Sequence, residues 1–279
     1  MALQTIRSCP VYVINLDRRP DRWTEFSKQP TLSYFSAGVQ RFSAVDGTKL
    51  EGSTDPRISL HTKQNIVKKY RRSDYEINTL GAIGASLSHI GIWKAFLDSD
   101  ASHVIVFEDD TLVTQEDLQK IELLTEKQPA DWDMWLFGCH RWRFDGEPLM
   151  PKQQGWVSVK QFTGAHAYIL SRRGAEILTA DPFPIETHIE YYITGCSLFK
   201  GLKIVKHSAL RMGYSAEITE AEDSDTFDSR KSCPVCVVPD TMLEDGFYMS
   251  YNYMWRALVG AAALSAVAIG AFLGSKRRA

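Results

Sequence analysis

The stretch "HVIVFEDDTLV", residues 103–113, decides how this chain is read. An apolar, β-branched run leads straight into three carboxylates, Glu108, Asp109 and Asp110. The run reads as a core strand. Adjacent like charges repel, and each carboxylate resists burial without a partner. A carboxylate cluster at a strand end suits a hard divalent cation, Mn²⁺ or Mg²⁺, where substrate phosphates complete the coordination. Glu108 and Asp110 have the spacing to face one ion as the chain turns out of the strand. That leaves Asp109 for a ribose or sugar hydroxyl. Capping of the following helix is the competing explanation for the same acids.

Outward from that stretch, strand and helix patterns alternate. "CPVYVINLD" (9–17) reads as a buried strand, and "RRPDRWTEFSKQ" after it as a turn and a helix with Pro20 in its first turn. "VQRFSAVDG" (39–47) is a second strand ending in an Asp-Gly turn. Residues 48–78, polar and basic, read as a mobile or loosely helical insertion. "TLGAIGASLSHIGIWKAFLDSD" (79–100) is helical, with Ile83, Leu87, Ile90 and Trp93 on one apolar face. Thr114 caps a further helix that has Asp117 in its first turn. "WDMWLFGC", "WVSVKQF" and "LKIVKH" are strands, and "GAHAYILSRRGAEIL" is strand, turn, helix. "PIETHIEYYITGC" reads as helix, placing Glu186 and Glu190 one turn apart. The pattern predicts an α/β fold with a mainly parallel sheet flanked by helices. In such sheets ligands bind beyond the carboxyl ends of the strands. That rim collects Asn15 and Asp17, Asp46 and Gly47, and the acidic triplet. Arg18, Arg19 and Arg22 follow strand one, either to grip phosphate or as a solvated helix face.

The chain has 279 residues and a net charge of −2, so bulk charge does not suit it to nucleic acid. Five cysteines at wide spacing argue against a disulfide framework, and "CPVC" (233–236) reads as a loop with two incidental thiols. No signal peptide is expected from the N-terminal pattern. "ALVGAAALSAVAIGAFLG" (257–274) carries no charge and is flanked by Tyr, Trp and basic residues, which fits a transmembrane helix. Ala262, Ala266, Gly270 and Gly274 form a small-residue face on it that suits a homodimer. The expected organisation is one domain over 1–250 and an anchor over 251–279, with the domain on the cytoplasmic side.

Five blocks in order, "VYVINLDRRPDRW" (11–23), "RFSAVDG" (41–47), "LGAIGASLSHIGIWKAFLDS" (80–99), "VIVFEDDTLV" (104–113) and "GAHAYILSRRGAEIL" (164–178), resemble glycosyltransferase family 25. That family includes lipooligosaccharide and collagen hydroxylysine galactosyltransferases. The resemblance covers roughly residues 9–230. It implies a GT-A-like, Rossmann-type fold and inverting transfer of galactose or glucose from a UDP-hexose. The acceptor would be a glycan, glycolipid or glycoprotein, and the cofactor a divalent metal. Carried over by motif, Glu108, Asp109 and Asp110 match the metal carboxylates. Asn15, Asp17, Arg18, Arg22, Asp46 and Gly47 match the donor-binding blocks, and Gly84, Ser88 and His89 a supporting helix. Three positions depart from the pattern: Ala82 and Ala85 stand where the family commonly has Glu and Cys, and Glu186 stands for an Asp. Glu186, then Glu190, are the expected bases. His89 is read as a core or site-supporting histidine, and His207 as a third metal ligand by its place at a strand end. A phosphoryl-transfer enzyme lacks its phosphate-cradling loop here. A catalytically silent nucleotide- or glycan-binding scaffold stays open as the other class.

Overall fold

The computed structural model describes residues 5–73, 75–148 and 155–214, with 141–148 as backbone alone. The apolar stretch 257–274, its small-residue face, the boundary at 250 and the Cys233–Cys236 loop lie outside the described residues. Cys9, Cys139 and Cys196 are free thiols.

The strands are β1 (Val11–Asn15), β2 (Val39–Ser43), β3 (His103–Glu108), β4 (Thr111–Leu112) and β5 (Met134–Gly138). They continue with β6 (Arg141–Pro148), β7 (Trp156–Thr163), β8 (Ala167–Ser171), β9 (Ile204–His207) and β10 (Gly213–Tyr214). The helices are α1 (Pro20–Ser27), α2 (Thr31–Tyr34), α3 (Leu60–Lys68), α4 (Leu80–Leu97), α5 (Gln115–Thr125), α6 (Arg172–Thr179) and α7 (Ile189–Phe199). The main sheet has the order β2-β1-β3-β8-β5-β9-β7-β6, and β4 pairs with β10 beside it. β1 is parallel to β2 and β3, and β5 to β9, while β8 lies antiparallel between β3 and β5. β7 is antiparallel to both β9 and β6, so six of the eight strands share one direction, as the mainly parallel expectation requires. The reversed β8 was not legible from its pattern, because Ala167–Leu170 is fully buried on both faces and carries no polar alternation.

Strand periodicity divides the core into two layers. Val104 and Val106 pack under α4, α6 and α7 with Ile14, Leu136 and Tyr168. Ile105 and Phe107 face the other way, onto Phe26 of α1, Tyr34 of α2 and Leu118 and Ile121 of α5. All four β3 residues are fully buried, each contributing about 1.5–3 kcal/mol. The Thr114–Asp117 capping box starts α5 as its sequence predicts. α4 differs from the single apolar face expected of it. Buried residues encircle it, Ala82, Ser86 and Ile92 as well as Ile83, Leu87 and Ile90, because sheet, α6, α7 and the 44–47 loop enclose it. It is the one described helix long and apolar enough to cross a membrane, and it is a core helix.

The segment 48–78 is not the loose insertion its polarity suggests. Ser59 caps α3, Ile58 bridges Ile185 and Glu76 bridges Thr187, so both ends are stitched to the 185–187 chain. Glu76, 2% exposed, accepts bonds from the Arg72 side chain at 2.7 Å, the Arg72 backbone at 2.9 Å and Asn65 at 3.3 Å, with His61 at 3.2 Å. Burial pushes its carboxyl up, but Arg72 and His61 outweigh that and hold it at about 2. A depressed carboxyl contributes stability above its unfolded value of 4.5, lost as pH falls through the folded one. Denaturation should therefore show roughly 3 kcal/mol of stability lost between those two pH values, and Glu76→Gln should flatten that slope. An unchanged slope in the variant would assign the loss elsewhere.

Candidate active site

The cleft opens where β1, β2 and β3 end side by side. β2 lies to one side of β1 and β3 to the other, so the chain departs in opposite directions at β1, and the crevice forms outside those carboxyl ends. About 350 Å³ in volume, it is lined by Arg18 and Arg22 after β1, Val45–Thr48 after β2, the first turns of α4, and Glu108–Asp110.

The three acids have different fates. Asp109 is buried and uses both oxygens, one on Asn15 Nδ2 at 2.7 Å and the other on Arg22 at 3.3 Å. It braces β3 to β1 and α1 from within the cleft lining. Asn15, also bonded by Arg41 at 2.6 Å and donating to the Arg19 carbonyl at 2.9 Å, orients that brace from behind the cleft. Glu108 keeps a 36% exposed side chain and meets His89 Nε2 at 3.4 Å. His89 Nδ1 lies 2.9 Å from the Tyr168 hydroxyl, which accepts from Trp93 Nε1 at 2.8 Å. A neutral His89 that takes the phenol proton at Nδ1 carries its own proton on Nε2. That tautomer directs Nε2–H at Glu108. Burial opposes ionisation of Glu108, and the His89 bond, with the fields of His89, His166 and His140, more than offsets it. Asp110 is the opposite case. Burial, then the charges of Glu108 and Asp109, push its carboxyl up to about 7, and its Oδ1 is buried without a partner.

The loop after β2 is held by close backbone approach. Val45 N–H donates to Ser88 Oγ at 2.8 Å, and Ser88 donates to the Gly84 carbonyl at 2.7 Å. A Cβ on Gly84 would sit 2.4 Å from the Val45 carbonyl, and one on Gly47 would sit 2.2 Å from that of Leu80. Both glycines are therefore steric requirements. Asp46 caps the 3₁₀ turn through Thr48 at 3.0 Å and pairs with Arg18 at 3.3 Å. Ala85 lines the cleft, while Ala82 is buried beneath it.

Other expected residues lie elsewhere. Asp17 is 62% exposed and bonds Arg41 and Ser43, outside the cleft lining. His207 ends β9, three strand spacings from β3, about 14 Å. It accepts from Ala209 N–H and packs on Trp156, so it cannot share an ion with the triplet. Glu186 and Glu190 are not one turn apart on a helix, since His188 caps α7 and Glu186 precedes it. The bond from Ser59 N–H to the Ile185 carbonyl and the neighbouring bridges hold that segment extended. Glu186 lines a second cavity, reached by Ser86 and Ile90 of α4, and neither acid lines the cleft. Among the described residues no group of three or more His, Cys, Asp or Glu is arranged to hold a metal by protein ligands alone.

Sequence reading missed the contacts that support the acidic turn from outside the cleft lining. His166 offers its carbonyl to the Glu108 N–H at 2.8 Å and the Thr111 hydroxyl at 2.7 Å. Tyr214 pairs with Thr111 across β10–β4, and its ring meets His140 edge-on at 4.4 Å. The β3–β8 pairing places His166 and the β10–β4 pairing places Tyr214, and a two-residue strand leaves no periodic signal.

These features define an α/β domain with a carboxylate-lined ligand cleft at the carboxyl rim of its sheet. The family model for glycosyltransferase family 25 (LPS biosynthesis protein) matches residues 8–189, and the chain belongs to that family. A glycosyltransferase 25 family member of Drosophila pseudoobscura pseudoobscura is 24% identical over 77% of this chain and 37% of its own length. Procollagen galactosyltransferase 2 of Mus musculus is 29% identical over 62% of this chain and 28% of its own. The mouse protein named inactive glycosyltransferase 25 family member 3 is 30% identical over 61% and 28%. The chain thus spans 28% to 37% of the length of these curated relatives.

Because Glu108 is a principal cause of the raised Asp110 value, Glu108→Gln should lower it. Carboxyl ¹³C titration is expected to move the Asp110 midpoint well below 7, whereas an unmoved midpoint would assign the shift to burial alone.

Proposed function

We propose that this chain is a glycosyltransferase that moves galactose or glucose from a UDP-hexose, with inversion, to a hydroxyl of a glycan, glycolipid or glycoprotein. The observation that carries it is the unpartnered Asp110 Oδ1 beside the ionised Glu108 in the cleft of a family 25 domain. Hard carboxylate oxygens of this kind fit Mn²⁺ or Mg²⁺, and Glu108 and Asp110 would hold it with substrate phosphates completing the coordination. When bound, the ion supplies positive charge to the departing diphosphate. The protein's part is positioning. His89 fixes Glu108 through the Trp93–Tyr168 string. Asp109 ties β3 to β1 and α1 through Asn15 and Arg22. Arg18, half-exposed at the rim, faces the donor's phosphates, and Gly47, Gly84 and Ser88 hold the 45–47 loop against α4. Glu186 and Glu190 receive no proton-accepting role, since neither lines this cleft. Residues 257–274 would anchor the chain in a membrane, with residues 1–250 on the cytoplasmic side and a second copy packed on the small-residue face.

A silent scaffold that binds nucleotide or glycan is the second reading, favoured by the 30% identical relative named inactive. UDP release from UDP-galactose and UDP-glucose, measured with Mn²⁺ and with chelator, separates the two without an acceptor. Turnover is expected only with metal, and Asp110→Asn should reduce it at least about 100-fold while the protein stays folded. Full activity of that variant in chelator would end the proposal. Calorimetric binding of UDP with no turnover would favour the scaffold.

A further inference from the structure

Residues 56–73, "PRISLHTKQNIVKKYRRS", carry six Lys or Arg and no Asp or Glu, in a chain of net charge −2. α3 sits within this stretch, and its two sides differ. The inner side is fixed: Thr62 and Asn65 are buried, Thr62 bonds the Ser59 hydroxyl, and Asn65 bonds Glu76. On the outer side Leu60 is 72% and Val67 76% exposed. Seven residues apart, they lie on one stripe two turns long. Tyr70, 44% exposed, follows at the helix end. Of the basic residues, Arg72 is bonded to Glu76 and Arg57 to Asp55. Lys68 and Lys69 are exposed and form no ion pair among the described residues. Lys69 closes the helix at φ +49°, a left-handed position where glycine is favoured and a side chain is disfavoured.

A basic surface alone suits any polyanion. Two exposed aliphatic side chains among the lysines do not, because a nucleic acid or an acidic protein surface would leave them in water. A bilayer interface takes both, lipid headgroups the lysines and the acyl boundary Leu60 and Val67. The chain also carries the uncharged stretch 257–274 between aromatic and basic flanks, which suits the same environment. We propose that the outer face of α3, with Lys68, Lys69 and Tyr70, docks on the surface of an anionic lipid bilayer. This goes beyond the transfer reaction, and its test does not depend on activity.

The full chain is mixed with vesicles of phosphatidylcholine, or of phosphatidylcholine with phosphatidylserine, and lysine acetylation is followed by mass spectrometry. Acetylation of Lys68 and Lys69 is expected to slow at least about fivefold on the anionic vesicles only. High salt should reverse the protection. Leu60→Ser with Val67→Ser, both at exposed positions, should abolish it while leaving circular dichroism unchanged. Equal acetylation in all lipids overturns the proposal, as does protection retained in the double variant. Equal protection by RNA or heparin without lipid would assign the face to a polyanion and overturn it too.

Discussion

Three consecutive carboxylates cannot all be satisfied by one scaffold at one strand end, and the cleft is organised around that constraint. Asp109 is buried and bonded across the sheet by Asn15 and Arg22, which only partly offset the burial and the Glu108 charge that push its carboxyl up. Glu108 stays charged because a string of buried donors, Trp93 to Tyr168 to His89, ends on it. Asp110 has neither partner nor solvent for Oδ1, and burial with the charges of Glu108 and Asp109 pushes its carboxyl up to about 7. A proton on the cluster relieves that repulsion, and a divalent cation held there, as proposed, would do the same and would displace that proton.

The neighbouring backbone is fixed by close approach beside these acids. The 45–47 loop lies so close to α4 that neither Gly47 nor Gly84 can carry a Cβ, and Ser88 holds the two together by accepting from one and donating to the other. The loop's orientation is therefore fixed by steric contact, and the Arg18–Asp46 pair at the rim inherits it.

Much of this was legible in the sequence, for a physical reason. Strand apolarity followed by acid is local information, and β1, β2, β3, the α5 capping box and the rim position of the triplet follow from it. What depended on partners far along the chain was not legible. Glu76 reads as one acid in a polar stretch until Arg72, His61 and Asn65 surround it, and only then does 48–78 become ordered. Glu186 and Glu190 satisfy helical spacing, yet Ile185 is held extended by the 58–59 chain, and the helix starts after His188. His207 ends a strand on the rim, but strand order, which local pattern does not encode, puts three spacings between it and the acids.

α4 joins these observations into one account. Its sequence resembles a membrane span, because most of its surface is covered by sheet, helices or loop, with Lys94 left exposed. A helix enclosed in this way can carry polar groups only if each is bonded, and Ser86, Ser88 and His89 all are. Two of those three residues also bond outside the helix: Ser88 accepts from Val45 N–H in the loop after β2, and His89 meets Tyr168 and Glu108. The polar residues of an apolar core helix thus fix both the loop and the charged acid of the cleft. A change that loosened α4 would disturb Glu108 without touching it, through the tautomer of His89.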